Sequence, residues 1–189
     1  SGTGQKCLTK SIEFCLNSTY SDKFMRHFWP VPDVSIGDDF LEKVGKQTIK
    51  FNNPPTIVDC ASIVGPKESQ GPLAKYFDQT LDDEFWGEKT WEKAESKIIK
   101  ETVNTVISKS GIPTSEIDCM FAGDLLNQCI SSSFGLREEN IPFFGVFGAC
   151  STFVESMILG SIAVEGFANN VLCATSSHFC SAEKQFRFP

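Results

Sequence analysis

The stretch "FFGVFGACSTFVES", residues 143–156, decides the fold predicted for this chain. The uncharged run "IPFFGVFG" that leads into it suits a strand covered on both faces. From Thr152 to Glu165, apolar residues recur at helical spacing. The stretch therefore predicts a buried strand that turns into a buried helix, with Cys150 at the turn.

Strands and helices alternate on both sides of this turn. An amphipathic pattern predicts a helix from Thr90 to Ser110, and Gly111 and Pro113 are typical of its end. The other predicted elements are strands in "KQTIKFNN", "TIVDCASIV", "IDCMFAGD" and "NVLCATSSH", and a short helix from Ser131 to Leu136. Such alternation predicts parallel pairing through right-handed crossovers, hence an α/β layered domain.

Length and charge exclude several classes of protein. The 189 residues suffice for one α/β domain with a sizeable core. A net charge of −7 leaves no cationic surface for nucleic acid. The weakly charged run from Ile141 to Ala168 is interrupted by two glutamates and four glycines, which favours a buried strand and helix over a membrane span. No secretion signal is visible, so we expect an unsecreted chain.

The cysteines and histidines give little support for a metal site. The eight cysteines form no CxxC pair, which favours a reduced, cytosolic chain. Zinc requires clustered cysteine and histidine ligands, and the only histidines are His27 and His178. We therefore predict no protein metal site.

Residues 1–42 show no regular period, and Pro30 and Pro32 are incompatible with a helix or a central strand around "FMRHFWPVP". We predict a loop or an extension of uncertain structure there. The α/β domain is expected over residues 43–189.

Polar turns follow several predicted strands, and such turns converge at one edge of a parallel sheet. Cys150 is either a small buried residue or a thiol that the helix N-terminus makes more acidic and reactive. The strand-to-helix turn favours a site. Asp124 either faces a ligand or closes its own turn, and His178 is either a base, a donor to a carboxylate or an edge residue. Lys67 is either a ligand-binding cation or a solvated turn lysine.

Five blocks of sequence add a family resemblance. In order along the chain they are "GPKESQGPL", "FDQT", "AGDLLNQ", "FGACSTFVES" and "ATSSHFCSAEKQFRFP". They closely resemble the stage V sporulation protein AD family of spore-forming bacteria, a diverged branch of the thiolase-like superfamily. The resemblance covers about Lys43 to Pro189. It implies a thiolase-like layered α/β/α fold with a mostly parallel mixed sheet, of which this chain is the truncated N-terminal half.

The resemblance also implies a function. It implies non-catalytic binding of dipicolinic acid (pyridine-2,6-dicarboxylate), with calcium accompanying the ligand, for uptake into the developing spore. The implied partners are membrane proteins of the same operon, on the cytoplasmic side of the forespore or spore inner membrane, and the full-length protein is expected to be a homodimer. The blocks place these residues at the pocket: Lys67, Asp124, Asn127, Gln128, Cys150, Ser151 and His178.

Two alternatives stand beside binding. The resemblance implies that Cys150 is the counterpart of the thiolase nucleophile, so the chain could instead be an acyltransferase that forms a thioester there. The chain could also be an assembly subunit with a vestigial pocket, for which the predicted strand Asn169–Thr175 is the candidate two-fold seam.

Overall fold

The computed structural model describes residues 9–17, 41–52 and 54–183. The strands are β1 (Thr9–Asn17), β2 (Leu41–Val44), β3 (Thr48–Phe51), β4 (Thr56–Val64), β5 (Gln79–Thr80), β6 (Cys119–Asp124), β7 (Phe143–Gly145) and β8 (Asn170–His178). The helices are α1 (Trp91–Ser110), α2 (Ile130–Leu136) and α3 (Thr152–Gly166).

The main sheet has six strands in the order β5–β4–β1–β8–β6–β7, and β2 and β3 form a separate hairpin. The pairs β4–β5, β6–β7 and β6–β8 are parallel, whereas β1 is antiparallel to both of its neighbours. Helices α1 and α2 cover one face of the sheet, and α3 covers the other. The predicted fold class, a layered α/β/α domain with a mixed sheet, is thus confirmed.

Helix α1 follows its sequence signals closely. The side chain of Thr90 accepts a hydrogen bond from the backbone N–H of Lys93 at 3.3 Å, which caps the first turn. Gly111 has a φ of 69° after the last turn, a left-handed conformation that glycine adopts without a steric penalty. The start and end predicted for this helix are therefore confirmed.

Two hydrophobic clusters fill the two sides of the sheet. Met120 and Ala122 of β6 belong to the cluster under α1 and α2, whereas Cys119 and Phe121 belong to the cluster under α3. Alternate residues of a strand point to opposite faces, so even-numbered positions of β6 face α1 and odd-numbered positions face α3. This alternation determines where each side chain of the candidate site lies.

The prediction of a loop is wrong for Thr9–Asn17, because this segment forms β1 between β4 and β8. Its residues alternate in polarity, but the prediction for the region depended on the prolines further along it. Of the other residues in 1–42, the structure describes only Leu41 and Glu42, which belong to β2. The segment is a central strand because it pairs with β4 and β8, which are distant from it in sequence.

The strand of the candidate seam, Asn169–Thr175, has no free edge in the described sheet. These residues lie largely in β8, which is paired with β1 on one side and β6 on the other. A strand whose two edges are both hydrogen-bonded has no free edge for a second copy.

The expectation of a fully reduced chain fails at Cys180, which is disulfide-bonded. Spacing along the sequence does not reveal which sulfur atoms meet in a fold, so the missing CxxC pair was a poor guide. Free thiols are found at Cys60, Cys119, Cys129, Cys150 and Cys173.

Candidate functional site

The carboxyl ends of the parallel strands meet at one edge of the sheet. Strands β4 and β8 run in the same direction, because each is antiparallel to β1, and β6 and β7 are parallel to β8. Asp124 and His178 are the last residues of β6 and β8, and the turns beyond β4 and β7 carry Lys67 and Cys150. This edge is where ligands bind in open α/β sheets.

The sheet nevertheless separates the side chains at this edge into two groups. Asp124 and His178 occupy even-numbered positions and contact groups on the α1 side, namely Ser132 of α2 and the loop residue Glu84. Cys150 lies in the turn that begins α3, on the opposite face. The predicted site therefore consists of two regions and not of one pocket lined by all these side chains.

On the α1 side, Asp124 closes its own loop. It is fully buried, and its Oδ1 accepts the backbone N–H of Cys129 at 3.2 Å. Its Oδ2 accepts the backbone N–H and the hydroxyl of Ser132, both at 3.3 Å. The carboxylate thus satisfies backbone N–H groups at the start of α2, where a helix has unpaired donors. Of the two interpretations left open by the sequence, the geometry matches loop closure.

A buried glutamate beside Asp124 was missed by sequence reasoning. Glu95 of α1 is only 1% exposed. The hydroxyl of Ser176 donates to its Oε1 at 3.1 Å, and the hydroxyl of Ser181 lies 2.8 Å from its Oε2. The sequence indicated the burial of Glu95 only through its position, since it lies on the apolar stripe of α1 between Ala94 and Ile98.

The environment of Glu95 favours its neutral form. Burial, with the negative charge of Asp124 as a further contribution, raises the pKa of Glu95 to about 7, although the hydroxyls of Ser181, Ser176 and Ser131 oppose the shift. Near neutral pH this carboxyl group can therefore hold or release a proton. It connects α1, β8 and the segment after β8 through hydrogen bonds.

His178 is also held inside the protein. It is 2% exposed, its Nε2 lies 2.8 Å from the carbonyl oxygen of Glu84, and its Nδ1 accepts the backbone N–H of Cys180 at 3.2 Å. This pair of contacts fits the neutral ring with the proton on Nε2. Burial lowers the pKa of His178 by more than the Glu84 carbonyl raises it. Both ring nitrogens are therefore occupied by the fold.

On the α3 side, Cys150 lies in an exposed turn. The short 3-10 helix Ala149–Ser151 precedes α3, and Ala149 has a φ of 50°, which is unusual for a residue with a side chain. The backbone N–H of Gly148 donates to the hydroxyl oxygen of Thr152 at 3.1 Å. Cys150 itself is exposed and carries a free thiol. The turn thus holds this thiol at the accessible N-terminal end of α3.

Glu155 folds back over the same turn. The hydroxyl of Ser151 lies 2.7 Å from the carbonyl oxygen of Gly148 and 2.5 Å from Oε1 of Glu155. A side chain added at Gly148 would collide with the Glu155 carboxylate. The Glu155 carboxylate therefore lies directly over Gly148, and an acidic group stands beside Cys150 that sequence reasoning did not identify.

Gly123 brings the two regions close together across the sheet. A Cβ atom there would lie 1.9 Å from the carbonyl oxygen of Val146 and 2.8 Å from a methyl carbon of Thr152. Only glycine permits this approach. The end of β6, which carries Asp124, is therefore packed directly against the start of α3.

The remaining predicted residues lie on the loops. Asn127 is half-buried, and its side-chain amide donates to the hydroxyl of Ser131 at 2.8 Å. Gln128 is exposed and has a φ of 54°. Lys67 is exposed at the start of a short 3-10 helix, beyond β4 and thus two strands away from β8. Asn127 therefore supports the loop structure, whereas Gln128 and Lys67 face solvent.

Across residues 9–17, 41–52 and 54–183, no group of three or more acidic, cysteine or histidine side chains is arranged to hold a metal ion. In the same part of the chain, no helix combines the length and the apolar composition that crossing a membrane requires.

The fold and the edge together define a layered α/β domain with a candidate ligand-binding region at the carboxyl ends of its strands. Comparison with known proteins narrows this class. The model of the family described as Stage V sporulation protein AD (SpoVAD) matches residues 45–189. The chain therefore belongs to this family of sporulation proteins.

A curated relative agrees with this assignment. The chain is 41% identical over 150 residues to the Stage V sporulation protein AD of Bacillus subtilis (strain 168). The match covers 79% of this chain and 44% of that protein, so the chain spans less than half the length of this relative.

Proposed function

We propose that this chain binds dipicolinic acid without catalysing its conversion, as part of the uptake of this compound into the developing spore. The observation that carries the proposal is the exposed Cys150 turn at the start of α3, on the edge where the strands end. The positive end of a helix dipole favours an anionic group there. Membership in a sporulation family supports the biological setting.

Calcium has a defined role in this proposal. A ring nitrogen flanked by two carboxylates chelates a hard cation, which then seeks further oxygen ligands. Glu155 supplies such an oxygen beside Ser151. Asp124 also lies at this edge of the sheet, but both of its carboxylate oxygens are engaged in closing the α2 loop. We therefore assign the cation-facing role to Glu155.

Non-catalytic binding is favoured over acyl transfer by the state of His178. A thioester mechanism needs a base that activates the cysteine. Both ring nitrogens of His178 are occupied by the backbone of Glu84 and Cys180, on the other side of the sheet from Cys150. The proposal extends to the setting: action at the cytoplasmic side of the forespore or spore inner membrane, with membrane partners of the same operon, and a homodimeric full-length protein.

Calorimetric titration of the 189-residue chain with dipicolinate, with and without calcium, tests the proposal. We expect binding heat with calcium present and a strong loss of affinity in Glu155→Gln. The matched control is Glu165→Gln, near the other end of the same helix, which should bind like the parent. The absence of binding heat in both calcium conditions would contradict the proposal.

Acyl transfer is tested separately by incubation with acyl-coenzyme A and mass analysis of the cysteine-containing peptides. The proposal predicts no acyl group on Cys150 beyond the background on Cys60, which is also an exposed free thiol. Selective acylation of Cys150 would favour the enzyme.

A further inference from the structure

The carboxyl group of Glu95 and the hydroxyl of Ser181 form an arrangement that depends on a single proton. Oγ of Ser181 lies 2.8 Å from Oε2 of Glu95 and 2.8 Å from the carbonyl oxygen of His178. A serine hydroxyl has one hydrogen to donate. If Glu95 is ionised, both of these neighbours are acceptors, and only one of them can receive that hydrogen. If Oε2 of Glu95 carries a proton, Glu95 donates to Ser181 and Ser181 donates to His178.

Two buried carboxyl groups lie in this region, and their partners determine which one keeps a proton. Asp124 accepts the backbone N–H groups of Cys129 and Ser132, which can only donate and therefore favour a carboxylate. The partners of Glu95 are hydroxyls, which can either donate or accept. Burial and the negative charge of Asp124 both oppose the ionisation of Glu95. The proton therefore belongs to Glu95.

Ser181 belongs to a short segment, Phe179–Glu183, that follows β8 as a single π-helical turn. Such turns are rare and are frequent at functional sites. The segment packs against α1, the helix that carries Glu95. We propose that Glu95 and Ser181 form a proton-operated latch, in which a proton on Glu95 fastens the segment Phe179–Glu183 to α1 and to the end of β8, and loss of this proton loosens it. The inference does not depend on which ligand the protein binds.

The latch closes at low pH and opens as the pH rises. When Glu95 loses its proton to solvent, the hydroxyl of Ser181 turns to the new carboxylate, and the carbonyl of His178 loses this hydrogen bond. A second negative charge then lies near Asp124 in a buried region, which favours movements that let water reach Glu95. The pKa of Glu95, about 7, sets this change near neutral pH. By linkage, any contact that holds the segment in place raises the pKa of Glu95.

Other ionisable groups lie on the elements that pack against α1. The ring of His178 is held between Glu84 and Cys180, and burial lowers its pKa, which favours the neutral ring. The remaining groups are Asp124 of β6, Glu13 of β1 in register opposite Ala174, Asp59 of β4 in an ion pair with Lys109, the ion-paired Arg137 and Glu138 after α2, disulfide-bonded Cys180, and Glu183 at the end of the segment. The test must therefore separate Glu95 from these groups.

A pH titration of the native chain by NMR tests the latch, because it follows the proton and the segment separately. The side-chain carboxyl carbon of Glu95 reports its protonation. The carbonyl carbon of His178 and the amide groups of residues 179–183 report the segment. We expect all these signals to shift together near neutral pH, with one midpoint. Segment signals that stay constant while Glu95 loses its proton would overturn the proposal, and so would a Glu95 that is ionised throughout.

Three substitutions separate the latch from a general effect of charge. Glu95→Gln cannot ionise, but its amide can still donate to Ser181, so the segment should keep its low-pH signals throughout. In Ser181→Ala the relay is absent, so Glu95 should still titrate while the carbonyl of His178 no longer follows it. The matched control is Ser176→Ala, which removes the other hydroxyl bound to Glu95 and leaves the relay intact. A titration of the segment that persists in Ser181→Ala, or that disappears in Ser176→Ala as well, would overturn the proposal.

Discussion

The two regions at the carboxyl edge of the sheet differ in what their polar groups contact. Around Glu95, on the α1 side, carboxylates and hydroxyls are buried and hydrogen-bonded to one another. Around Cys150, on the α3 side, the thiol and the neighbouring hydroxyl of Ser151 are exposed. A buried polar group that is fully paired stabilises the fold, whereas an exposed one is available to a ligand. The first region is therefore a scaffold, and the second is the surface to which we assign ligand binding in the proposed function.

The largest expected effect is on the scaffold. Asp124→Ala leaves the backbone N–H groups of Cys129 and Ser132 without their acceptor. We expect it to lower the free energy of unfolding by about 4 kcal/mol, since each buried unpaired donor costs roughly 1–3 kcal/mol. Urea unfolding measures this effect. The control Asp82→Ala, at an exposed position, should have little effect, and a similar small effect for Asp124→Ala would contradict the assignment of Asp124 to the scaffold.

A second prediction concerns the pH dependence of stability. The pKa of Glu95 is about 7 in the folded chain against an ordinary value of 4.5. Its stabilising contribution is therefore complete below pH 4.5 and is lost as the pH rises towards 7. The loss amounts to about 3 kcal/mol, at about 1.4 kcal/mol for each unit of pKa shift.

Comparison of the parent with Glu95→Gln measures this loss, because glutamine cannot ionise. The difference in unfolding free energy between the two proteins should change across this pH window. Glu92→Gln, at an exposed position of the same helix, should follow the parent. If the free energies of unfolding of the parent and of Glu95→Gln change with pH in the same way, Glu95 does not titrate as described.

A third prediction concerns His178, whose pKa is lowered by burial. A lowered pKa means that the stability contributed by the neutral ring is present above the ordinary pKa and is lost as the pH falls through the lowered one. Ring proton shifts in NMR can follow this titration, with His27→Gln to assign the two histidines. A pKa at or above that of an exposed histidine would contradict the burial of this ring.

The smallest effect on stability is expected in the binding surface. Cys150→Ser alters an exposed side chain, and such substitutions usually change the free energy of unfolding by less than about 0.5 kcal/mol. Thermal unfolding measures this change. A large destabilisation would mean that the thiol belongs to the scaffold after all.

Much of the fold could be predicted from local patterns. The helix α1 has a complete apolar stripe and a glycine at its end, and the apolar run of β8 was identified with its bounds. By contrast, β1 depends on partners that are distant in sequence, such as Thr56 opposite Asn17 and Val64 opposite Lys10. Non-local pairing of this kind leaves little trace in a short segment.

The candidate site was less predictable than the fold. The order of strands and turns predicted that Asp124, Cys150 and His178 lie at one edge. Which face of the sheet each strand side chain occupies depends on the alternation of residues along the strand. The sequence could not determine which hydrogen bonds would occupy Asp124 and His178. Glu95 was detectable only as an acidic residue within an apolar stripe.

Alkylation of Cys150 tests the central claim most directly, namely that its exposed turn is the binding surface. The rate is measured with a thiol reagent and mass analysis of each cysteine peptide, in the presence and absence of calcium and dipicolinate, with exposed Cys60 as the internal control. We predict that the ligand slows modification of Cys150 strongly and leaves that of Cys60 unchanged. An unchanged rate at Cys150 at saturating ligand would contradict the claim.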